Sequence, residues 1–511
     1  MTQPGRRPNI LYIMADQLTP FLTGAYGHPA VKTPNLDRLA RQGIRFDAAY
    51  TPFPLCSPAR AAMATGRYAS ELGIYDNACV FPASEVTFCH YLTLAGYDTV
   101  VSGKLHYVGP DQLHGFSRRL TTDIYPEDLR WLQNRDPRRA SEDAVKGKHA
   151  AQYIAPAIKV SDGWNSNVSY DEEAAFRAME YLRAKGWDKR RRTASGTDSG
   201  REPFFLLASF HHPHDPFIPP AEYWDLYADA EIEVPDYPDN LDVTYSVLDR
   251  WLNEWHAVDQ FDVKNPDSLR VVRRAYYALV SYIDAKVGDL LHELERAGLD
   301  DETLVIFASD HGDMLGERGM VQKRTFYEWS TRIPLIVRLP DGAQAGTTVS
   351  QPVSLLDLMP TFLDIAGVSD PPALRGHSLL PFLEGRPVAA WNVFSESHAE
   401  GVYGTCFMLR TVQHKYVLIV HEDGTDAQLF DMQRDPDEWD NLAGRPEYAA
   451  VEDDLRRTLL AEFDPQAIEA AIRASIPKRR VLKQWQERTG VSWVYTPRFD
   501  ADRRTLDQYL K

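Results

Sequence analysis

Cysteine is scarce in this sequence, four in 511 residues, which excludes a disulfide scaffold. None of Cys56, Cys79, Cys89 and Cys406 stands in a CxxC pair, so a zinc ribbon is excluded as well. Long apolar runs are missing too. The first, Ile10 to Ala15, follows Arg6, Arg7 and Pro8 and stops at Asp16. It is too short for a signal core, and no later stretch reaches the ~20 apolar residues of a membrane span. A cytoplasmic protein with no membrane association is therefore expected. Positive charge is also in deficit: 56 Lys and Arg against 73 Asp and Glu give a net charge of −17. That balance argues against nucleic acid or an anionic membrane as partner, while leaving room for a local anion pocket.

What is present reads as an ordinary globular chain, with 44% hydrophobic and 25% charged residues. At roughly 150 residues per domain, the length suits about three domains, or one large α/β domain with a smaller one. The opening NILYIMADQ (9–17) is a continuous apolar run closing in polar residues, as a strand covered on both faces reads. FFLLASFHHPHD (204–215) and TLVIFASDHGD (303–313) repeat the pattern, each ending in His and Asp. Helical spacing over 33–43 and 268–297 alternates with these strands, which predicts an α/β sheet with helices on both faces. Ligands of such sheets gather at the carboxyl ends of strands, so polar clusters at three strand ends carry more weight together than singly.

The segment 189–202 reads as a surface loop. Beyond 387 the pattern changes: 402–411 and 415–421 predict a hairpin, and 450–475 one or two helices. From Lys478 the chain is basic and aromatic with little periodicity, able to wrap a neighbouring subunit or pack on its own domain. The expected division is a catalytic α/β domain over 1–386 and a C-terminal α+β domain with tail over 387–511.

CSPARAAMATG (56–66) places Cys56 before good helix formers, hence at a helix N-terminus where free N–H groups favour negative charge. Arg60, four residues on, lies on the same face. Asp16 and Asp310 end two core-type strands, with Gln17 and His311 beside them. Hard oxygen donors of this kind suit a hard cation.

Cys56-x-Pro58-x-Arg60 followed by Thr65-Gly66 resembles the signature of type I sulfatases, and GYDTVVSGKLH (96–106) resembles that family's second signature. The resemblance spans Asn9 to about Asn441. It implies an alkaline-phosphatase-like fold: a large mixed, mostly parallel sheet sandwiched by helices, with a smaller C-terminal α+β domain. It also implies that Cys56 is oxidised to formylglycine by a formylglycine-generating enzyme, and that the hydrate is the nucleophile. Asp16, Gln17, Asp310 and His311 would hold one divalent ion, with residue 56 completing the shell. Gln17 stands where many sulfatases have a second Asp, which trims ligand charge; calcium is favoured, with manganese or magnesium as alternatives. By the same resemblance Arg60 and Lys104 orient the hydrate and sulfate, and His106 is the base for the second hydroxyl. His214 with Lys323 protonates or stabilises the departing alcohol, and His212 is a weaker candidate there.

The stretch 109–131 and SDHGDMLGERG (309–319) are similar to choline sulfatases in particular. A quaternary ammonium cannot donate hydrogen bonds and needs aromatic faces and a carboxylate; Trp131 and Glu400 fall where that branch supplies them. The expected substrate is thus a small-molecule sulfate ester, of choline or of an aryl alcohol, and the expected assembly a homodimer or homotetramer. The alternative activity is a phosphonate monoester or phosphodiester hydrolase using the same formylglycine. A non-catalytic sulfate-binding protein with a free Cys56 is the third reading.

Overall fold

The apolar run at 10–15 has no polar face, and the fold gives it two apolar ones. The structure is a computed structural model that describes residues 7–133, 135, 149–195, 202–369, 372–398 and 400–497. In it β1 (Asn9–Asp16) is wholly buried. Leu11, Ile13 and Ala15 pack with Val272, Tyr276 and Leu279 on one side of the sheet. Ile10, Tyr12 and Met14 pack with Leu358, Phe362 and Met63 on the other. Alternation of side chains along a strand makes this possible only where both faces are covered.

The sheet comprises β1, β2 (Ile44–Tyr50), β3 (Asp98–Gly103), β4 (Arg118–Arg119), β5 (Phe204–Pro213), β6 (Thr303–Ser309), β7 (Arg332–Arg338), β8 (Thr347–Val349) and β9 (Val353–Ser354). The order is β4-β3-β5-β1-β6-β7-β2-β8, with β9 also on β2. Only β7 runs against its neighbours, β6 and β2; the other pairings are parallel. The expected mixed, mostly parallel sheet is therefore present. Helices cover it on both faces, among them α1 (Pro34–Gln42), Ser166–Ser195 and Pro266–Arg296 on one, and α2 (Cys56–Thr65) with Leu358–Ala366 on the other. Because β3, β5, β1 and β6 are parallel neighbours, their carboxyl ends share one edge. They deliver Lys104, His211 to His214, Asp16 and Asp310 there.

A second, antiparallel sheet follows: β10 (Val393–Ser397), β11 (Thr405–Arg410), β12 (His414–His421) and β13 (Gly424–Asp431). One face, with Met408, Val417 and Ile419, packs toward Tyr50, Phe326 and Tyr327 of the first body. The other, with Phe407, Leu409 and Leu418, is covered by Leu455, Leu459 and Phe463. The C-terminal helices are Ala449–Glu462 and Pro465–Thr489.

Two sequence expectations change. The basic stretch at 189–195 is the last part of the helix Ser166–Ser195, where Lys and Arg side chains complement the negative end of the helix dipole; 196–201 lie outside the described residues. The final helix runs on to Thr489 rather than stopping near 475. Two of its buried positions are polar, which hides the periodicity: Arg479 meets Asp76 at 2.6 Å, and Gln486 accepts the Leu129 N–H at 3.4 Å. Among the described residues no helix is long and apolar enough to cross a membrane.

Candidate active site

Cys56 is the first residue of α2, a helix buried along its whole length. The N–H of Ser57 is taken by Asn77 Oδ1 at 3.0 Å. The Cys56 thiol lies 3.2 Å from His311 Nε2 and 3.8 Å from Asp16 Oδ1. Asp16, Cys56, Asp310 and His311 bring their ligand atoms within 4.8 Å of one another, all buried. One Asp310 oxygen accepts the N–H groups of Gln17 and His311 at 3.0 Å each, which fixes the carboxylate; His311 Nδ1 lies 3.0 Å from the Gly312 carbonyl, leaving Nε2 to face the cluster.

Cations surround this acidic pair. Arg60, one helical turn after Cys56, gives Nε to Asp310 at 2.8 Å and Nη2 to Asp16 at 3.3 Å. Its Nη1 bridges the Lys104 carbonyl and Ser209 Oγ at 2.9 Å each. The Lys104 ammonium contacts Asp16 and stands 4.6 Å from the centre of the Tyr125 ring. Burial alone would push the Cys56 thiol up. Lys323, Lys104 and His311 overcome it, and the thiol titrates well below its ordinary range. Asp16 behaves alike: burial and the Cys56 charge raise it, but Lys104, His214 and Arg60 hold it below the usual carboxylate range. The position of the Cys56 sulfur is thus one that favours a negative charge.

His214 and Lys323 meet at 2.8 Å through Nε2 and Nζ, with His214 Nδ1 on the Asp215 carbonyl at 2.7 Å. Lys323 also donates to Gln17 Oε1. A cavity of about 210 Å³ opens over Cys56, walled by His106, Tyr125, Trp131, His149, Gln152, His214, Lys323, Arg324 and Glu400 among others. His106 lines the cavity, and Asp123 accepts its N–H and that of Leu105, both at 2.9 Å.

The sequence candidates thus converge, with two differences of detail. Glu400 lines the cavity but is committed: it pairs with Arg324 at 2.5 Å and accepts the Asn77 N–H at 3.0 Å. It is a compensated carboxylate, because a buried charge needs a partner. His212 faces away from the cavity, its Nδ1 2.6 Å from Asp171 and its ring against Tyr282. Sequence reasoning passed over Asp215 and Asp313, although both lie inside the quoted strand-end strings. It also passed over Asn77, Asp123, His149, Gln152 and Arg324, which carry no local signal.

Comparison with known proteins agrees with this geometry. The family model described as "Sulfatase" matches residues 8–368, and one described as "N-sulphoglucosamine sulphohydrolase, C-terminal" matches 316–464. A choline-sulfatase of Rhizobium meliloti is 38% identical over 99% of this chain and 96% of its own length. An arylsulfatase of Clostridium perfringens is 30% identical over 90% of this chain and 95% of its own. Among solved structures, a phosphonate monoester hydrolase of Agrobacterium radiobacter superposes with a TM-score of 0.69 at 27% identity, covering 89% of this chain and 95% of that one. The sulfatase match spans more than half of the sequence and includes every strand that feeds the cluster around Cys56; the chain belongs to the sulfatase family and is a sulfuric ester hydrolase.

Proposed function

We propose that Cys56 is converted to formylglycine by a formylglycine-generating enzyme and that the hydrate, beside one divalent ion, hydrolyses a small sulfate monoester. The observation that carries this reading is the position of Cys56 at the start of α2, its sulfur within a buried ring of two carboxylates, an imidazole and three cations. The thiol stands where the oxygens of the hydrate would be. Two carboxylates buried side by side with an imidazole nitrogen form a donor set that fits a hard divalent cation. Asp16, Asp310, His311 and residue 56 would hold it, with Gln17 Oε1 as a neutral addition; calcium is proposed, manganese or magnesium being the alternatives. Such an ion would neutralise a sulfate oxygen and lower the pKa of the nucleophile.

The roles of the chain's own groups follow from charge. Hydrolysis moves negative charge onto the departing oxygen, and fixed cations around the sulfuryl group stabilise it. Arg60 and Lys104 orient the nucleophile and the sulfate oxygens. A gem-diol at position 56 has one hydroxyl to attack sulfur and a second to expel sulfate as the aldehyde returns, with His106 taking the second hydroxyl's proton. His214 and Lys323, which line the same cavity and meet at 2.8 Å, protonate or stabilise the departing alcohol. Tyr125 and Trp131 give that alcohol aromatic walls, suited to choline or an aryl ring. Likeness to the choline-sulfatase supports the former; the pairing of Glu400 with Arg324 keeps the latter open.

A phosphonate monoester hydrolase is the second reading, favoured by the structural likeness to one. Comparing kcat/KM on choline sulfate, 4-nitrophenyl sulfate and a phenyl phosphonate monoester decides between them, and a dominant phosphonate activity overturns the first reading. Cys56→Ala is expected to abolish turnover with the melting temperature retained. Peptide mass spectrometry of protein made together with the maturing enzyme should show residue 56 as formylglycine; an unconverted Cys56 in active protein would refute the mechanism.

A further inference from the structure

On its Nε2 side Gln17 meets three acceptors from groups that the mechanism above does not use: Asp313 Oδ2, Tyr153 Oη at 3.1 Å and Asp215 Oδ1 at 3.2 Å. Its Oε1 receives the Lys323 ammonium. The two ends of an amide have nearly the same shape, so the partners alone decide which end faces which way. Here the decision is one-sided, because carboxylates accept and an ammonium only donates.

Asp313 is itself held from two directions. Its Oδ1 accepts the Leu315 N–H at 2.9 Å and its Oδ2 accepts the Tyr153 hydroxyl. Gln17, Tyr153 and Asp313 are all buried. A left-handed backbone at Gln17, φ 64°, turns the side chain back beside the end of β1.

We propose that Asp313, braced by Tyr153, is a positioning residue that locks the Gln17 amide so that its oxygen, which receives Lys323, is the end presented to the ion site proposed above. The inference rests on the divalent-ion site proposed above and deepens it. It also accounts for glutamine at this position: a carboxylate at 17 would place a third negative group against Asp313 and Asp215, whereas an amide supplies the donor they need and keeps one oxygen for the ion side. Locking matters because a ligand oxygen that must first be rotated into place binds less well than one already presented.

Asp313→Asn tests the lock with almost no change of shape. If the asparagine oxygen keeps the Leu315 N–H, its Nδ2 meets Gln17 Nε2, donor against donor; a flip of Gln17 to relieve this sets Nε2 against the Lys323 ammonium. The full-length protein is stripped with chelator and titrated calorimetrically with calcium chloride and with manganese chloride. In D313N the affinity is expected to fall about 10- to 100-fold, with a chelator-state melting temperature near that of wild type. Tyr153→Phe is expected to lose about fivefold. If D313N fails to fold, Y153F decides alone. A Kd within twofold of wild type in the deciding variant overturns the proposal, as does wild-type protein that binds neither ion. Turnover of 4-nitrophenyl sulfate by converted wild type is measured in parallel: its absence would sink the sulfatase mechanism while leaving the ion titrations to judge the lock.

Discussion

Four non-glycine residues that line the cavity, His106, Gln322, Arg324 and Glu400, hold left-handed backbone, as does Gln17 beside Lys323, with φ between 56° and 83°. Such conformations cost on the order of 1 kcal/mol each and persist where the surroundings over-determine them. At His106 the determinant is Asp123, which takes two successive N–H groups and the Arg119 guanidinium at 2.6 Å. Burial opposes the Asp123 charge, but Arg119, His106 and those N–H groups bring its pKa down to about 2. A carboxyl depressed in the folded state stabilises the fold above its unfolded pKa and loses that contribution as pH falls through the folded value. Asp123→Asn is therefore expected to cost about 2 kcal/mol near neutrality, the gap from wild type closing between about pH 4 and pH 2. Urea denaturation across that range measures it; a pH-independent gap would contradict the charge argument.

At the scale of elements, the site depends on how closely β3 approaches β5. Gly103 ends β3 with φ 106°, and a Cβ there would lie 1.8 Å from the Ser209 carbonyl oxygen. Only glycine permits both the turn and the contact. The same approach brings the Lys104 carbonyl and Ser209 Oγ together as acceptors of Arg60 Nη1. Gly103→Ala should destabilise the protein by about 3 kcal/mol and lower kcat/KM through Arg60. Chemical denaturation with aryl sulfate kinetics reads both, and stability unchanged within error would show that the strands can part without cost.

At the scale of the molecule, the two sheets are joined by a buried ionic knot. Lys415 of β12 pairs with Glu328 at 2.6 Å and Glu438 at 2.7 Å, and donates to the Phe326 carbonyl at 2.9 Å. The segment it grips, 326–328, begins two residues after Arg324, whose carbonyl accepts the Ser397 hydroxyl of β10 at 3.0 Å, so the second sheet braces the stretch that carries Lys323 and Arg324. Removing one partner of a buried charge cluster leaves the others uncompensated. Lys415→Met is expected to cost about 3–5 kcal/mol, and Lys415→Met with Glu438→Gln less than the single change. Equal losses in the two would mean that packing, rather than charge, holds the sheets together.

The three central strands β1, β5 and β6 were legible in the sequence, because an unbroken apolar run has no stable place except between two covered faces; β2, β7, β10 and β13 were not. The positions of the candidate residues were legible too, since Asp16, Asp310 and His311 follow those runs directly and Cys56 and Arg60 share one helical turn. Which buried charges compensate one another was settled by the packing of the elements. Glu400 met Arg324, Asp313 met Gln17, and Asp123 met the turn at His106; Arg479 and Gln486 turned inward in a stretch whose sequence showed little periodicity. Local pattern records which face of an element is buried, whereas the partner of a buried polar group comes from a distant part of the chain and is fixed only when the elements pack.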